Sequence, residues 1–196
     1  MRKYGFLRSP EYANIPERKI EKAKLTGLPK RYYLDSTGPV KNQGPTNKCV
    51  PYSLMSCLEH HYKIRKKELD INPNFIYDKR RNSDSDEGMF IYDAMEILKQ
   101  NNLIKIYGKL VTIDAVKAAI FLDGPVIAGL PVKSPNDQFW IGSEFIGGHA
   151  VALIGYDEDS FIIKNSWGYN YGSSGEEPIS YSHLNKSAYE LWTIVY

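Results

Sequence analysis

The sequence contains few cysteines and no long hydrophobic run. Cys49 and Cys57 are the two cysteines in 196 residues, too few for the disulfide framework of a small secreted domain. If both lie on one helix, their Cα atoms are about 12 Å apart, whereas a disulfide needs about 4.4–6.8 Å. No apolar stretch approaches the roughly 18 residues of a membrane helix. We therefore expect an uncrosslinked chain in a reducing, intracellular compartment, outside the membrane.

The sequence also lacks a dominant charge. It has 25 Lys+Arg and 23 Asp+Glu, a formal net charge of +2, which gives no electrostatic reason to expect a nucleic acid or an anionic membrane as partner. Residues 1–10 are basic without an apolar stretch, so we expect no secretory signal. Hydrophobic residues make up 42% and charged residues 24%, a composition typical of globular domains. The length suits one domain or two small lobes.

The two halves of the sequence have different textures. Apolar residues at helical spacing predict helices in the first half, and short apolar runs between turn residues predict strands in the second half. The first predicted helix begins at Val50, and three others cover 74–81, 89–100 and 115–122. The predicted strands cover 126–130, 149–154, 161–164 and 191–196. The pattern predicts an α+β fold of two lobes that meet at a cleft, where active sites are commonly found.

Cys49 begins the strongest predicted helix and follows a loop rich in turn-forming residues, 42–47. Backbone N–H groups and the dipole at a helix N-terminus favour negative charge, so we expect them to lower the pKa of this thiol. A thiolate attacks carbonyl carbons when a base or cation supports it. Cys57 lies on the apolar face, and we expect a buried, inert thiol there. Taken alone, Cys49 fits a buried thiol equally well.

His149 and Asn165 flank two of the predicted strands. His149 follows two glycines and opens an apolar strand, so the backbone there is free to approach another group closely. Asn165 closes the next strand, and its amide oxygen can accept a hydrogen bond from one imidazole nitrogen and so fix the tautomer. The neighbouring Trp167 can shield that bond from water. Considered singly, each residue also fits an ordinary strand end or turn.

The other histidines carry no recognisable pattern. His60 and His61 end the first helix without a His-Glu-x-x-His motif, so we expect a solvated helix end. His183 lies in a polar turn and is expected on the surface.

In chain order, Gln43, Cys49, His149 and Asn165 make the sequence resemble the papain-like cysteine peptidases. The segments that carry the resemblance are Val40-Lys41-Asn42-Gln43-Gly44, Gly148-His149-Ala150-Val151 and Lys164-Asn165-Ser166-Trp167-Gly168. In addition, Gln43 precedes Cys49 by six residues, which is the spacing of the corresponding residues in the family. The resemblance extends from about residue 28 to the C-terminus.

The sequence departs from the family pattern near the nucleophile. Residues 46–53 replace the family's Cys-Gly-Ser-Cys-Trp-Ala-Phe-Ser, with Thr46 in place of a disulfide cysteine and Val50 in place of a tryptophan. Glu87-Gly88 stands where the family has Gly-Gly, so only Gly88 is retained. With these departures the sequence is more similar to prokaryotic or phage-like members of the family. The family's long inhibitory pro-segment is expected to be absent, because residues 1–27 suffice only for a short arm or plug.

The resemblance implies a two-lobed papain-like fold. It comprises an N-terminal arm (1–27), a mainly helical lobe with Cys49 (28–110) and a mainly β lobe with His149 and Asn165 (111–196). It also implies endopeptidase activity on a peptide or protein substrate, without metal or other cofactor. The implied roles are Cys49 as nucleophile, His149 as its acid–base partner, Asn165 as orienting residue, Gln43 as oxyanion-hole donor, and Gly88 and Trp167 as substrate contacts.

Three alternatives remain open at this point. The domain can be a cell-wall amidase that acts on peptide crosslinks, or an acyl transferase that ligates or incorporates amines. It can also be a non-catalytic binding or structural component, for example of a phage or virus particle. Retention of Gln43, Cys49, His149 and Asn165 together argues against the last, because a scaffold does not need all four.

Overall fold

The computed structural model describes residues 3–9, 16–20, 25–82, 84, 87–136 and 138–196. The elements in these ranges are β1 (Phe6–Leu7), β2 (Tyr32–Tyr33), α1 (Cys49–Ile64), α2 (Pro73–Tyr77), β3 (Met89–Phe90), α3 (Ile91–Gln100), β4 (Ile106–Lys109), α4 (Ile113–Leu122), β5 (Val126–Val132), β6 (Gly147–Tyr156), β7 (Ser160–Lys164), β8 (Glu176–Ser180), α5 (Tyr181–Ser187) and β9 (Glu190–Val195). No helix among these residues is both long and apolar enough to cross a membrane.

Most strands form one antiparallel sheet in the order β4-β9-β5-β6-β7-β8, with β2 paired to β6 beside this path. The central strand β6 is buried along nearly its whole length because both of its faces are covered. Ala150 and Ala152 pack in one apolar core with the first helices, and Val151 and Leu153 pack in a second core on the opposite face. The alternation follows from the two-residue period of a strand.

Helix α1 is the central helix of the helical part. Pro51 lies in its first turn, where a missing N–H costs nothing, and Leu54 and Leu58 are fully buried against the sheet. Ser53 Oγ donates to the backbone oxygen of Ala150 at 2.8 Å. This hydrogen bond fixes the N-terminal part of α1, which begins at Cys49, against the strand that carries His149.

The chain preceding α1 contacts the sheet at its edge. Pro16 O accepts from the backbone N–H of Lys109 at 2.9 Å, and Arg18 N donates to Lys109 O at 2.8 Å, so residues 16–18 run beside β4. Arg18 also pairs with Asp123 at 3.4 Å. These contacts anchor the N-terminal arm to the sheet.

The structure corrects the expectation for the end of the first helix. His60 and His61 are both buried, not solvated. A Cβ atom on Gly124 would come within 2.6 Å of the His60 ring, so the glycine lets the turn after α4 close over this helix end. His61 stacks on Tyr196 with ring centroids 6.3 Å apart.

Candidate active site

Cys49 is the first residue of α1, and its side chain is fully buried. Hydrogen bonds from the backbone N–H groups of Ala150, Gly5, Val50 and Cys49 itself favour the thiolate and lower its pKa. Burial nevertheless raises the pKa of the Cys49 thiol from 9.0 to about 11 and outweighs these donors, because a thiolate loses its hydration there. The expected lowering of the pKa is therefore wrong for this arrangement.

His149 and Asn165 form a buried hydrogen-bonded pair. His149 Nε2 and Asn165 Oδ1 are 2.8 Å apart, and the backbone N–H of Ser166 also donates to Asn165 Oδ1, at 2.7 Å. That second donor settles which end of the amide faces His149. Because an amide oxygen is an acceptor, Nε2 carries a proton, and Nδ1 is the basic nitrogen of the neutral ring.

Aromatic rings enclose the His149–Asn165 pair. Trp167 stacks on the His149 ring at 4.4 Å with an interplanar angle of 26°, and the edge of Phe139 meets the same imidazole at 5.1 Å. Tyr171 meets Trp167 edge-on at 5.0 Å. This enclosure limits the access of water to the histidine–asparagine bond and fixes the plane of the imidazole.

Gln43 is held in the loop that leads to Cys49. Its Nε2 donates to Thr46 O at 2.7 Å, and its Oε1 accepts from Ser166 Oγ at 2.6 Å. Its backbone N–H donates to Ser166 O at 2.8 Å. The loop before Cys49 is thereby tied to the residue after Asn165. Because an amide NH₂ has two hydrogens, one of them remains for a further acceptor.

Residues 3–9 of the arm cross the cleft directly over Cys49. Gly5 N–H points at the thiol, and Gly5 O accepts from the backbone N–H of Met89 at 2.8 Å. Strands β1 and β3 run parallel, with Phe6 opposite Met89. This arm segment explains why the Cys49 sulfur has no exposure to solvent.

Two glycines in the cleft allow this close approach. Gly88 has φ +105°, and a Cβ atom there would overlap the carbonyl oxygen of Gly5. A Cβ atom on Gly148 would overlap the carbonyl oxygen of Phe6. Gly88 therefore lies against the main chain of the arm segment, and its contact with a substrate stays a prediction.

One polar contact of the cleft was not predicted from the sequence. Glu190 is buried and accepts from Ser9 N at 2.6 Å and from Ser9 Oγ at 2.9 Å. Trp192 Nε1 also donates to Glu190, at 2.8 Å. The available signal was a lone carboxylate that opens an otherwise apolar strand. At the opposite end of the arm segment, Tyr4 meets Trp167 edge-on at 6.3 Å.

No family model matches the chain, but known proteins resemble it in sequence. It is 24% identical to macrodontain-1 from Ananas macrodontes over 176 residues, which cover 69% of this chain and 80% of the relative. It is 26% identical to papain from Carica papaya over 173 residues, which cover 70% of the chain and 50% of papain. For cathepsin K from Gallus gallus the identity is 27%, over 70% of the chain and 53% of the relative. The chain thus spans about half the length of papain and of cathepsin K.

Solved structures share the fold over nearly the whole chain. Xylellain, a cysteine protease from Xylella fastidiosa, superposes with a TM-score of 0.84 at 22% identity and covers 98% of this chain and 95% of its own. A recombinant stem bromelain precursor gives a TM-score of 0.73 at 19% identity, over 92% of this chain and 74% of its own. These likenesses confirm the α+β fold expected from the sequence.

Proposed function

We propose that this chain, which belongs with the papain-like cysteine proteases that it matches in sequence and fold, hydrolyses internal peptide bonds through an acyl-enzyme on Cys49. The observation that supports the proposal is the buried His149–Asn165 bond of 2.8 Å; its histidine lies on the strand to which Ser53 fixes α1. The thiol accepts the N–H of Ala150, the residue after His149. Nucleophile and base therefore lie on neighbouring elements.

The proposed reaction has two halves. His149 Nδ1 takes the proton of the Cys49 thiol, and the sulfur attacks the peptide carbonyl carbon. As the carbon–nitrogen bond breaks, the imidazolium gives its proton to the leaving amine. Water then attacks the thioester carbon while Nδ1 accepts its proton. The carbon–sulfur bond breaks as the imidazolium returns that proton to the sulfur, which releases the acid and restores the thiol.

The oxyanion formed in each half needs donors that are already in place. We assign this role to the backbone N–H of Cys49 and to the amide of Gln43. The Gln43 side chain is held by Thr46 O and Ser166 Oγ, so its remaining N–H needs little reorganisation. Preorganised donors of this kind commonly supply the largest electrostatic contribution to acyl transfer.

Asn165, Trp167 and Gly88 act on the geometry of this reaction. Asn165 fixes the tautomer that leaves Nδ1 as the basic nitrogen, and Trp167 holds the ring plane. We propose that the substrate main chain replaces the arm segment beside Gly88 and accepts the Met89 N–H that Gly5 O now occupies. Sulfur, imidazole and water supply every proton and electron pair that the two halves exchange, so the proposed reaction requires no cofactor.

The proposed setting is a reducing, intracellular compartment, and the proposed partner is a peptide or protein. Cys49 and Cys57 are both free thiols on α1. Cys57 Sγ donates to Pro125 O at 3.3 Å in the core. An enzyme whose nucleophile is a thiol needs that thiol reduced.

The test uses the full chain with Phe6→Ala, which loosens the arm segment, and the same variant with Cys49→Ala. We expect the first to cleave a denatured protein and to form one adduct with a peptidyl epoxide, located on Cys49 and not on Cys57 by mass mapping. Both effects should disappear with Cys49→Ala. Cleavage of cell-wall peptide crosslinks without cleavage of protein would replace the peptidase by the amidase, and an intact protein with neither product nor adduct would overturn the proposal.

A further inference from the structure

A cavity of about 260 Å³ lies at the C-terminal end of α1. We call it the α1-end cavity and define it by Ile64 and Arg65 at the end of α1, Phe121 and Leu122 at the end of α4, and Tyr196 after β9. Cys49 begins the same helix, so about 24 Å of helix separates the sulfur from Arg65. The volume is slightly below the roughly 300–1,000 Å³ of a drug-sized ligand site, so the cavity suits a smaller molecule.

The apolar lining of the α1-end cavity is unusually exposed. Ile64 is 54% exposed, Phe121 40% and Leu122 47%, although all three are large hydrophobic residues. Tyr32, which also lines the cavity, meets the Phe121 ring edge-on at 4.9 Å and so holds this wall in place. One exposed apolar side chain needs no explanation, whereas several grouped around a concavity are typical of a binding site.

Arg65 supplies the cavity with a guanidinium that has donors to spare. Its Nη1 donates to His61 O at 3.0 Å and lies 3.3 Å from His61 Nδ1, and its Cζ lies over the Tyr196 ring at 4.6 Å. In the part of the chain that the structure describes, its Nε and Nη2 have no hydrogen-bond partner. That edge of a guanidinium matches both oxygens of a carboxylate.

A second cation lies on the same aromatic wall. Lys67 Nζ is over the Tyr196 ring at 5.2 Å and donates to the Tyr196 hydroxyl at 3.3 Å. Among the described residues, neither Arg65 nor Lys67 forms an ion pair with a carboxylate. Two cations without acidic partners beside an apolar concavity favour a ligand with a negative charge.

The remaining ionisable groups limit that charge to a small value. Burial lowers the pKa of His61 to about 4 and also lowers the pKa of His60, so both imidazoles are neutral at pH 7. Asp123 is the acidic residue of the lining, and Arg18 lies 3.4 Å from its carboxylate. A ligand with one negative charge fits this balance better than a phosphate with two, which Asp123 would repel more strongly.

We propose that the α1-end cavity is a binding site for a small organic acid that carries one carboxylate on an aromatic body. The carboxylate accepts hydrogen bonds from Nε and Nη2 of Arg65, and the ring packs against Ile64, Phe121 and Leu122. This site is separate from the proposed catalytic cleft and does not depend on the proposed function, because no residue of the cleft takes part.

The experiment titrates the full wild-type chain with phenylacetate at pH 7, by calorimetry and by NMR of the imidazole groups. We expect saturable binding with a dissociation constant of about 1 mM or lower. The signals of His60 and His61 should shift with the same saturation, and those of His149 and His183 should not. Phenylacetamide has nearly the same shape without the charge and should bind about tenfold more weakly or worse. Acetate, which lacks the ring, should also bind more weakly.

Variants separate the charge from the apolar wall. Arg65→Gln should weaken phenylacetate binding about tenfold or more, and Arg65→Lys should fall between the two because it keeps the charge but not the fork. Leu122→Ser changes an exposed side chain, so the fold should be retained, and it should weaken phenylacetate more than acetate. Arg31→Gln, a matched change on an exposed guanidinium that lies 3.9 Å from Glu158, should leave the affinity unchanged.

Three results would each overturn the inference. The first is an absence of saturation with phenylacetate, and the second is equal affinity for phenylacetate and its amide. The third is saturable binding that persists unchanged in both Arg65→Gln and Leu122→Ser, because the acid would then occupy another place on the molecule. Circular dichroism of each variant identifies any that has not folded, and Leu122→Ser still tests the site if Arg65→Gln is such a case.

Discussion

Removal of the Phe6 ring is expected to release the Cys49 thiol. The ring is buried at 4% exposure, and truncation of a buried phenylalanine to alanine typically costs about 3–5 kcal/mol. Here we expect the loss to weaken docking of the arm segment instead of the whole fold, because the ring belongs to a segment that crosses the surface of the cleft. The opened cleft then readmits water to the sulfur.

The size of the effect follows from the pKa. Burial beneath the docked arm and against the sheet raises the pKa of the Cys49 thiol from 9.0 to about 11. Loss of this whole shift, a difference of two units, corresponds to about 100-fold more thiolate below pH 9. Between about pH 9 and 11 the open state loses its proton before the docked state does. The docked arm is therefore fully favoured below pH 9, and it loses up to about 3 kcal/mol of that advantage as the pH rises to 11.

The assay is alkylation by iodoacetamide at pH 7.5, followed by intact mass and mapping. We expect Phe6→Ala to raise the rate at Cys49 by about 100-fold or more, with Cys57 as the internal reference for global opening. Phe145→Ala, which truncates an exposed ring (64%), should not change either rate. Equal rates at Cys49 in the wild-type chain and in Phe6→Ala would refute the reasoning that the arm segment controls the thiol.

Three further predictions follow from the site and the helix end. Gln43→Ala should lower kcat in the Phe6→Ala background by about 100-fold or more, since loss of one oxyanion donor costs about 2.7–4 kcal/mol, with unchanged circular dichroism; wild-type kcat would remove Gln43 from the mechanism. Asn165→Ala should lower kcat more than it raises KM, because Nε2 of His149 loses its acceptor, and an unchanged kcat would contradict the orienting role. Burial holds the pKa of His61 at about 4 instead of 6.5, so the unfolding free energy should fall by up to about 3 kcal/mol as the pH drops from 6.5 to 4. Urea unfolding checks this, with His61→Phe expected to flatten the pH dependence and the surface change His183→Gln to leave it intact.

The sequence carried enough information to predict the fold class and to group the candidate residues. The helix that begins at Cys49 and the strand that contains His149 both depend on local apolar periodicity, which a short window of sequence contains. In the structure His149 is hydrogen-bonded to Asn165, and Gln43 is hydrogen-bonded to Ser166. Their catalytic roles remain predictions for the experiments above.

Other features depend on contacts between distant parts of the chain. The effect of a helix N-terminus on Cys49 is local, whereas the burial that reverses it comes from residues 4–6, more than forty positions earlier in the sequence. The strands β4 and β8 were not predicted because each is short and contains a residue that weakens the strand pattern, Gly108 or Pro178. Both residues are tolerated because each strand lies at an edge of the sheet.

The anchoring of the arm determines how a substrate competes for the cleft. Residues 3–9 lie beside Gly88 and over Cys49, and residues 16–18 are hydrogen-bonded to β4. Because both contacts are made by the same arm, the arm is a tethered ligand of the cleft. A short tether typically gives an effective concentration in the millimolar range. A free peptide at micromolar concentration therefore faces a competitor present at about a thousandfold excess. We therefore expect any condition that detaches Ser9 from Glu190 or residues 16–18 from β4 to raise the rate of substrate cleavage more than a moderate gain in substrate affinity does.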